Sequence, residues 1–293
     1  MDDILLTMKP TKEFLVCVDS DGCVFDNMEL KHKECFCPAT VNVWGLQSVS
    51  RYARDAADFV NLYSKTRGVN RFPGLIYTLE LLGQRKEAVE RGYICPDLNA
   101  LREWITQTDS LSAKKLREYR TALGEAADPV LDRALRWSDE VDENISRIVH
   151  DVAPLPGVKD TLARIAEFAD IVIVSATPHE AIVREWGAQG LLEHVSVVAG
   201  QELGSKRECI RKATDGKYSP DKVLMVGDAP GDYESAKANG VLYYPIIPGQ
   251  EMESWSLLKT EAVDKFCCGE YAGKYMDDRI RAFSDVLKDN PDW

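Results

Sequence analysis

Four short polar segments hold, in chain order, the side chains needed to move a phosphoryl group. They are Asp19-Ser20-Asp21-Gly22, Ser175-Ala176-Thr177, Lys206, and Gly227-Asp228-Ala229-Pro230-Gly231-Asp232. Asp19 is the expected nucleophile, because a carboxylate attacking phosphorus divides one hard displacement into two easier ones. Asp21 is the expected proton handler, protonating the leaving oxygen and then activating water. An unperturbed aspartate titrates near ~3.9, so acid duty near neutrality needs an upward shift. Ser175 and Ala176 are expected to meet the phosphoryl oxygens, with Lys206 offsetting negative charge between nucleophile and phosphoryl group. Asp228 is expected to hold Mg2+ together with Asp19, since oxygen-only ligation suits that ion better than zinc. For Asp232 two readings stand equal: support of the metal, or capping of the helix that runs to Gly240.

Each segment stands where a β-prone apolar run ends. The runs are Phe14 to Val18, Ile171 to Val174, Val195 to Ala199 and Val223 to Val226, with Tyr243 to Ile247 as a last strand. From Pro154 onward helix-like and strand-like stretches alternate, the pattern of a doubly wound parallel sheet, in which ligands bind at the carboxyl edge of the strands. The first strand must join that sheet from across a long helical stretch. Val49 to Tyr63, Leu75 to Arg91, Leu98 to Thr106, Leu111 to Leu123 and Val130 to Val149 carry helical apolar spacing. The expectation is therefore an α/β Rossmann-like core, residues 1–26 and 152–293, with a mainly helical cap, residues 27–151, inserted into it. Tyr271 to Leu287 reads as a further helix packed on the core.

Two local readings concern ligand contacts. Thr177-Pro178-His179-Glu180 resembles a helix start, with Thr177 as N-cap, Pro178 in the first helical position and Glu180 completing a capping box. Such an N-terminus offers oriented N–H groups to an anion. In the cap, Lys65 to Phe72 is the most basic cluster. It reads either as a helix C-terminus stopped by Gly68 or as a substrate-reading loop in which Arg67 or Arg71 grips an anionic leaving group.

The chain has 293 residues, 45% of them hydrophobic, and a formal net charge of −12. Such acidity disfavours nucleic acid as a partner. No apolar run approaches the roughly 18 residues of a membrane span. Met1 to Leu5 lacks the basic start of a secretory leader. Eight cysteines without that leader point to free thiols in the cytoplasm. The spacing of Cys35-Phe36-Cys37, His32 and Cys267-Cys268 matches no standard zinc pattern.

Taken in order, Asp19/Asp21, Ser175, Lys206 and Asp228/Asp232 resemble the motif set of the haloacid dehalogenase superfamily. The spacing from Ser175 to Lys206 and the Pro154-Leu155-Pro156-Gly157-Val158 segment resemble its capped phosphatase branch, which includes phosphoglycolate phosphatases and beta-phosphoglucomutases. The resemblance covers the core, about half the chain. It implies Mg2+ held by Asp19, Asp228 and the backbone carbonyl of Asp21. It also implies hydrolysis of a small phosphorylated metabolite through an aspartyl-phosphate, by a monomer or homodimer. Relatives that cleave halides or phosphonates usually lack a carboxylate at the position of Asp21. A sugar phosphomutase using the same intermediate stays open, with a phosphonate hydrolase and a non-catalytic binding module behind it.

Overall fold

The computed structural model describes residues 3–108 and 110–293. Met1 and Asp2, part of the start read above, lie outside the described residues. The chain forms two compact units. One comprises the stretch up to Asn27 with Asp151–Leu287, the other Met28–His150 with Lys288–Trp293.

The first unit is built on five parallel strands: β1 (Phe14–Val18), β2 (Ala169–Val174), β3 (Val197–Ala199), β4 (Val223–Gly227) and β5 (Leu242–Pro245). Their spatial order is β3-β2-β1-β4-β5. Side chains alternate across a strand, so each strand must offer apolar residues to both faces if helices cover both. Val16, Val18, Ile171, Ile173, Leu224 and Val226 enter one core, with Trp186, Trp255 and Phe266 from the helices His179–Ala188, Glu251–Leu257 and Val263–Cys267. Leu15, Cys17, Val172, Val174, Val223 and Met225 enter the other, with Ile210 from Lys206–Thr214 and Ala236 from Pro230–Ala238. This is a doubly wound α/β sheet.

Strand order decides which loops meet. β1 lies between β2 and β4, Val18 pairing with Ile173 on one side and Val226 on the other. The residues just past those three strands therefore share one carboxyl edge.

The second unit is helical. Phe72, Trp104 and Trp137 form its aromatic centre, and the Trp137 Nε1–H donates to Thr40 Oγ1 at 2.9 Å. Two expected helices are interrupted. Arg71–Gln84 and Lys86–Glu90 are separate because Arg85 is extended, at φ −83° and ψ 115°. Ser50–Asp58 continues as a π-helical turn, Phe59–Tyr63.

The tail differs from expectation. Lys288–Trp293, read above as core, groups with the helical unit. The Lys288 N–H donates to the Tyr63 carbonyl at 3.0 Å, and the Lys65 N–H donates to the Lys288 carbonyl at 3.1 Å. Arg85 is stacked between the rings of Tyr52 and Trp293, at 4.6 and 4.5 Å from their centroids. The chain thus passes between its units three times, after Asn27, His150 and Leu287. Asp151, at the second passage, adopts φ 56°, a conformation that aspartate tolerates better than most residues.

Among the described residues no helix is long and apolar enough to cross a membrane.

Candidate active site

Asp19 leaves the central strand with its backbone N–H on the Val226 carbonyl at 3.0 Å, which carries the sheet pairing one residue past β1. Its Oδ1 accepts the Ser20 N–H at 2.7 Å, and its Oδ2 accepts from Lys206 Nζ at 2.5 Å. Ser20 is fully buried, with its hydroxyl bonded by Trp186 Nε1–H at 3.0 Å. The chain then reverses at Gly22, where φ is 72°, a left-handed conformation open to glycine without a steric penalty.

Lys206 is the first residue of Lys206–Thr214, a helix fixed by a reciprocal Ser205–Glu208 capping box. From there its ammonium also reaches Asp232 Oδ1 at 2.5 Å. Asp232 is buried and splits its carboxylate between two tasks. Oδ1 takes Lys206, while Oδ2 accepts the Ala229 N–H at 3.1 Å and so caps the helix Pro230–Ala238. The capping reading of Asp232 therefore holds, and one oxygen still faces the cluster.

Asp19, Asp228 and Asp232 are all buried, and one carboxylate oxygen from each lies within 4.8 Å of the others. Burial pushes the Asp19 carboxyl up to about 8. Lys206 opposes that shift, while Asp232 and Asp228 reinforce it. At Lys206 burial acts to lower the pKa, but Asp19 and Asp232 outweigh it and the ammonium is held charged. The Cys23 thiol is pushed well up, first by burial and then by Asp228 and Asp19. With one ammonium among three buried carboxyl groups, the pocket turns negative when Asp19 gives up its proton. An all-oxygen donor set of that charge fits a hard divalent cation such as Mg2+.

Gly227 was not singled out from the sequence. A Cβ there would lie 2.3 Å from Asp232 Oδ2, so glycine is what lets that carboxylate reach the end of β4.

Asp21 is half-buried and held through both oxygens. Asn27 Nδ2–H donates to Oδ1 at 2.6 Å, and the Thr177 hydroxyl donates to Oδ2 at 2.9 Å. Asn27 is buried, and its own Oδ1 accepts the Gly22 N–H at 3.2 Å. Nothing local in the sequence marked Asn27. The N-cap reading of Thr177 is corrected. The helix runs His179–Ala188 with Pro178 at the cap, whose side chain has no acceptor to offer, and the Thr177 hydroxyl, one residue earlier, donates to Asp21. The anion expected at that helix start is an internal one, as Glu202 accepts the His179 N–H at 3.1 and 3.3 Å.

Ser175 is buried at the end of β2, its N–H on the Ala199 carbonyl at 3.0 Å and its Oγ accepting the Thr177 N–H at 3.2 Å. Ala176 follows it and is exposed. Arg67 and Arg71 belong to the helical unit and have partners there. Arg67 is buried and donates to the Leu62 carbonyl at 3.0 Å. Arg71 opens the helix Arg71–Gln84, and its guanidinium pairs with Asp142 at 2.7 Å and bonds the Ser138 hydroxyl at 3.0 Å. The reading of this cluster as one helix C-terminus is therefore incomplete, since Arg71 begins a helix.

Residues 99–244 match the sequence model of the haloacid dehalogenase-like hydrolases. The chain belongs to that hydrolase family. Solved structures with similar folds include three members of the same family. For the Streptococcus pneumoniae protein the identity is 11%, with 83% of this chain and 90% of that chain covered and a TM-score of 0.44. A subfamily IA hydrolase from Geobacter sulfurreducens is 15% identical over 80% of this chain and 88% of that chain, with a TM-score of 0.38. One from Ehrlichia chaffeensis is 17% identical over 81% and 88%, with a TM-score of 0.37. None of these scores reaches 0.5, and the family assignment rests on the sequence match. Among curated proteins none matches this chain at a significant level.

Proposed function

We propose that this hydrolase cleaves the phosphate monoester of a small metabolite, using Mg2+ held by Asp19, Asp228 and Asp232, in the cytoplasm. The observation that carries the reading is the clustering of three buried carboxylates, two of them bonded to Lys206, at the carboxyl edge of a parallel sheet. A bound Mg2+ would supply Lewis-acid stabilisation of the phosphoryl oxygens.

In this reading Asp19 attacks phosphorus through a carboxylate oxygen, and the ester P–O bond breaks as the new one forms. Asp21 gives its proton to the departing alkoxide. It then takes a proton from water, whose oxygen attacks the same phosphorus. The aspartyl P–O bond breaks, inorganic phosphate leaves, and the Asp19 carboxylate is restored. Lys206 can direct its third N–H at the phosphoryl group while two hold Asp19 and Asp232. Ser175 and Ala176 are assigned to the phosphoryl oxygens.

The test is a screen of phosphorylated metabolites with and without Mg2+, using Asp19→Asn as the blank. Phosphate release that needs both Asp19 and the ion is expected. An isomeric sugar phosphate as the product would replace the reading with the mutase. Turnover by Asp19→Asn equal to the wild type would end both.

A further inference from the structure

The Thr177 hydroxyl that holds Asp21 sits in the loop between β2 and the helix His179–Ala188. That helix has no side-chain cap of its own. Its start is fixed instead from the loop after β3. The Gln201 N–H donates to the Thr177 carbonyl at 3.1 Å, and the Glu202 carboxylate accepts the His179 N–H through both oxygens. The two loops are pressed together at Gly200. A Cβ there would lie 2.5 Å from the His179 nitrogen and 2.7 Å from Glu202 Oε2. An exposed glutamate would ordinarily be solvated. This one is drawn to the positive end of a helix and accepts a first-turn amide that would otherwise lack an intrahelical partner.

We propose that Glu202 is a positioning residue for Asp21. It serves as the missing cap of His179–Ala188, fixes the Thr177 turn, and through the Thr177 hydroxyl holds the carboxylate that handles the leaving-group proton. The proposal rests on the hydrolytic reading above and adds to it a residue 181 positions away from the one it aligns. Without Glu202, the His179 amide loses a charge-assisted partner and the Thr177 turn relaxes. Asp21 then keeps Asn27 on one oxygen, while the Thr177 hydroxyl is no longer held against the other.

The consequence is selective. A poor leaving group needs its proton during P–O cleavage, whereas a nitrophenolate departs without one. The parameter to read is kcat/KM, which covers steps only through release of the first product. In full-length enzyme with Mg2+, Glu202→Ala is expected to lower kcat/KM on an alkyl phosphate about tenfold, the size of one charge-assisted hydrogen bond. The value on p-nitrophenyl phosphate should change less than about twofold. Glu202→Gln keeps an acceptor oxygen and should restore most of the loss. Thr177→Val should give the same split, and adding Glu202→Ala to it should cost little more, because both act through one contact. Equal losses on the two esters, a Gln variant as poor as Ala, or additive losses would each overturn the proposal. If the wild type hydrolyses neither ester, the hydrolytic reading is what has failed. The positioning claim is then read by amide exchange over residues 177–181, which Glu202→Ala should accelerate and Glu202→Gln should not. Unchanged exchange in Glu202→Ala would refute it.

Discussion

Lys206 Nζ stands 2.5 Å from Asp19 Oδ2, joining the first residue of one helix to the residue just past the central strand. Both groups are largely removed from solvent, with side-chain exposures of 18% and 8%. The ammonium is shared with Asp232 at the same distance. Removing one partner of a buried pair strands the other, which typically costs about 3–5 kcal/mol. Lys206→Met should therefore destabilise the metal-free protein by roughly that amount, read by denaturant unfolding. Added Mg2+ should recover a larger share of stability in the variant than in the wild type. An unchanged unfolding midpoint without metal would show that the pair carries no such weight.

Asp19 gives stability a pH dependence of unusual sign for a carboxylate. Its folded value, about 8, lies above the ordinary 3.8, chiefly through burial. Between those limits the folded protein holds a proton that the unfolded chain releases. The contribution is present at low pH and lost as pH rises toward 8. Thermal unfolding of the metal-free protein should show this decline, and Asp19→Asn, which has no proton to lose there, should flatten it. A wild type and variant with parallel pH profiles would contradict the assignment.

Gly227 has a role that its backbone conformation does not announce. With Asp232 Oδ2 only 2.3 Å from where a Cβ would be, Gly227→Ala must displace that carboxylate or bend β4. Overpacking of this kind costs about 1–3 kcal/mol. The sharper effect is on the cluster, since Asp232 cannot then keep both Lys206 and its place beside Asp19 and Asp228. Calorimetric titration with Mg2+ should give a Kd at least about tenfold weaker than the wild type, the loss of one good ligand contact. Unchanged affinity would place Asp232 outside the ion site.

The tail should behave as part of the helical unit. Arg85 has 8% side-chain exposure, pairs with Asp55 at 2.7 Å and is stacked between Tyr52 and Trp293. Trp293→Ala removes one face of that stack and should cost about 1–2 kcal/mol. Amide exchange should rise over residues 59–67, where Lys288 pairs with the backbone. Exchange rising instead in the sheet would argue against this placement.

The sequence alone carried the strands and the positions of the chemistry-bearing residues. Val16 and Val18 serve one core while Leu15 and Cys17 serve the other, so the first run is apolar throughout and stops abruptly at Asp19. A run of that kind specifies a strand covered on both faces, and its end marks the edge. Helical spacing likewise showed the inserted segment, though not the break at Arg85, which depends on backbone geometry rather than apolar period.

Only the tertiary structure decided the partnerships. Lys206 with Asp19, Thr177 with Asp21, Glu202 with the His179 amide and Lys288 with Tyr63 join residues that are 187, 156, 23 and 225 positions apart. Apolar periodicity records which face a residue turns to its own core. It does not record which loops the strand order makes neighbours, and that order is fixed by packing of the whole sheet. Thr177 shows the difference plainly. Its local context fits a helix cap, but the cap falls one residue later, at Pro178, and β2 beside β1 brings Asp21 within 2.9 Å of the Thr177 hydroxyl.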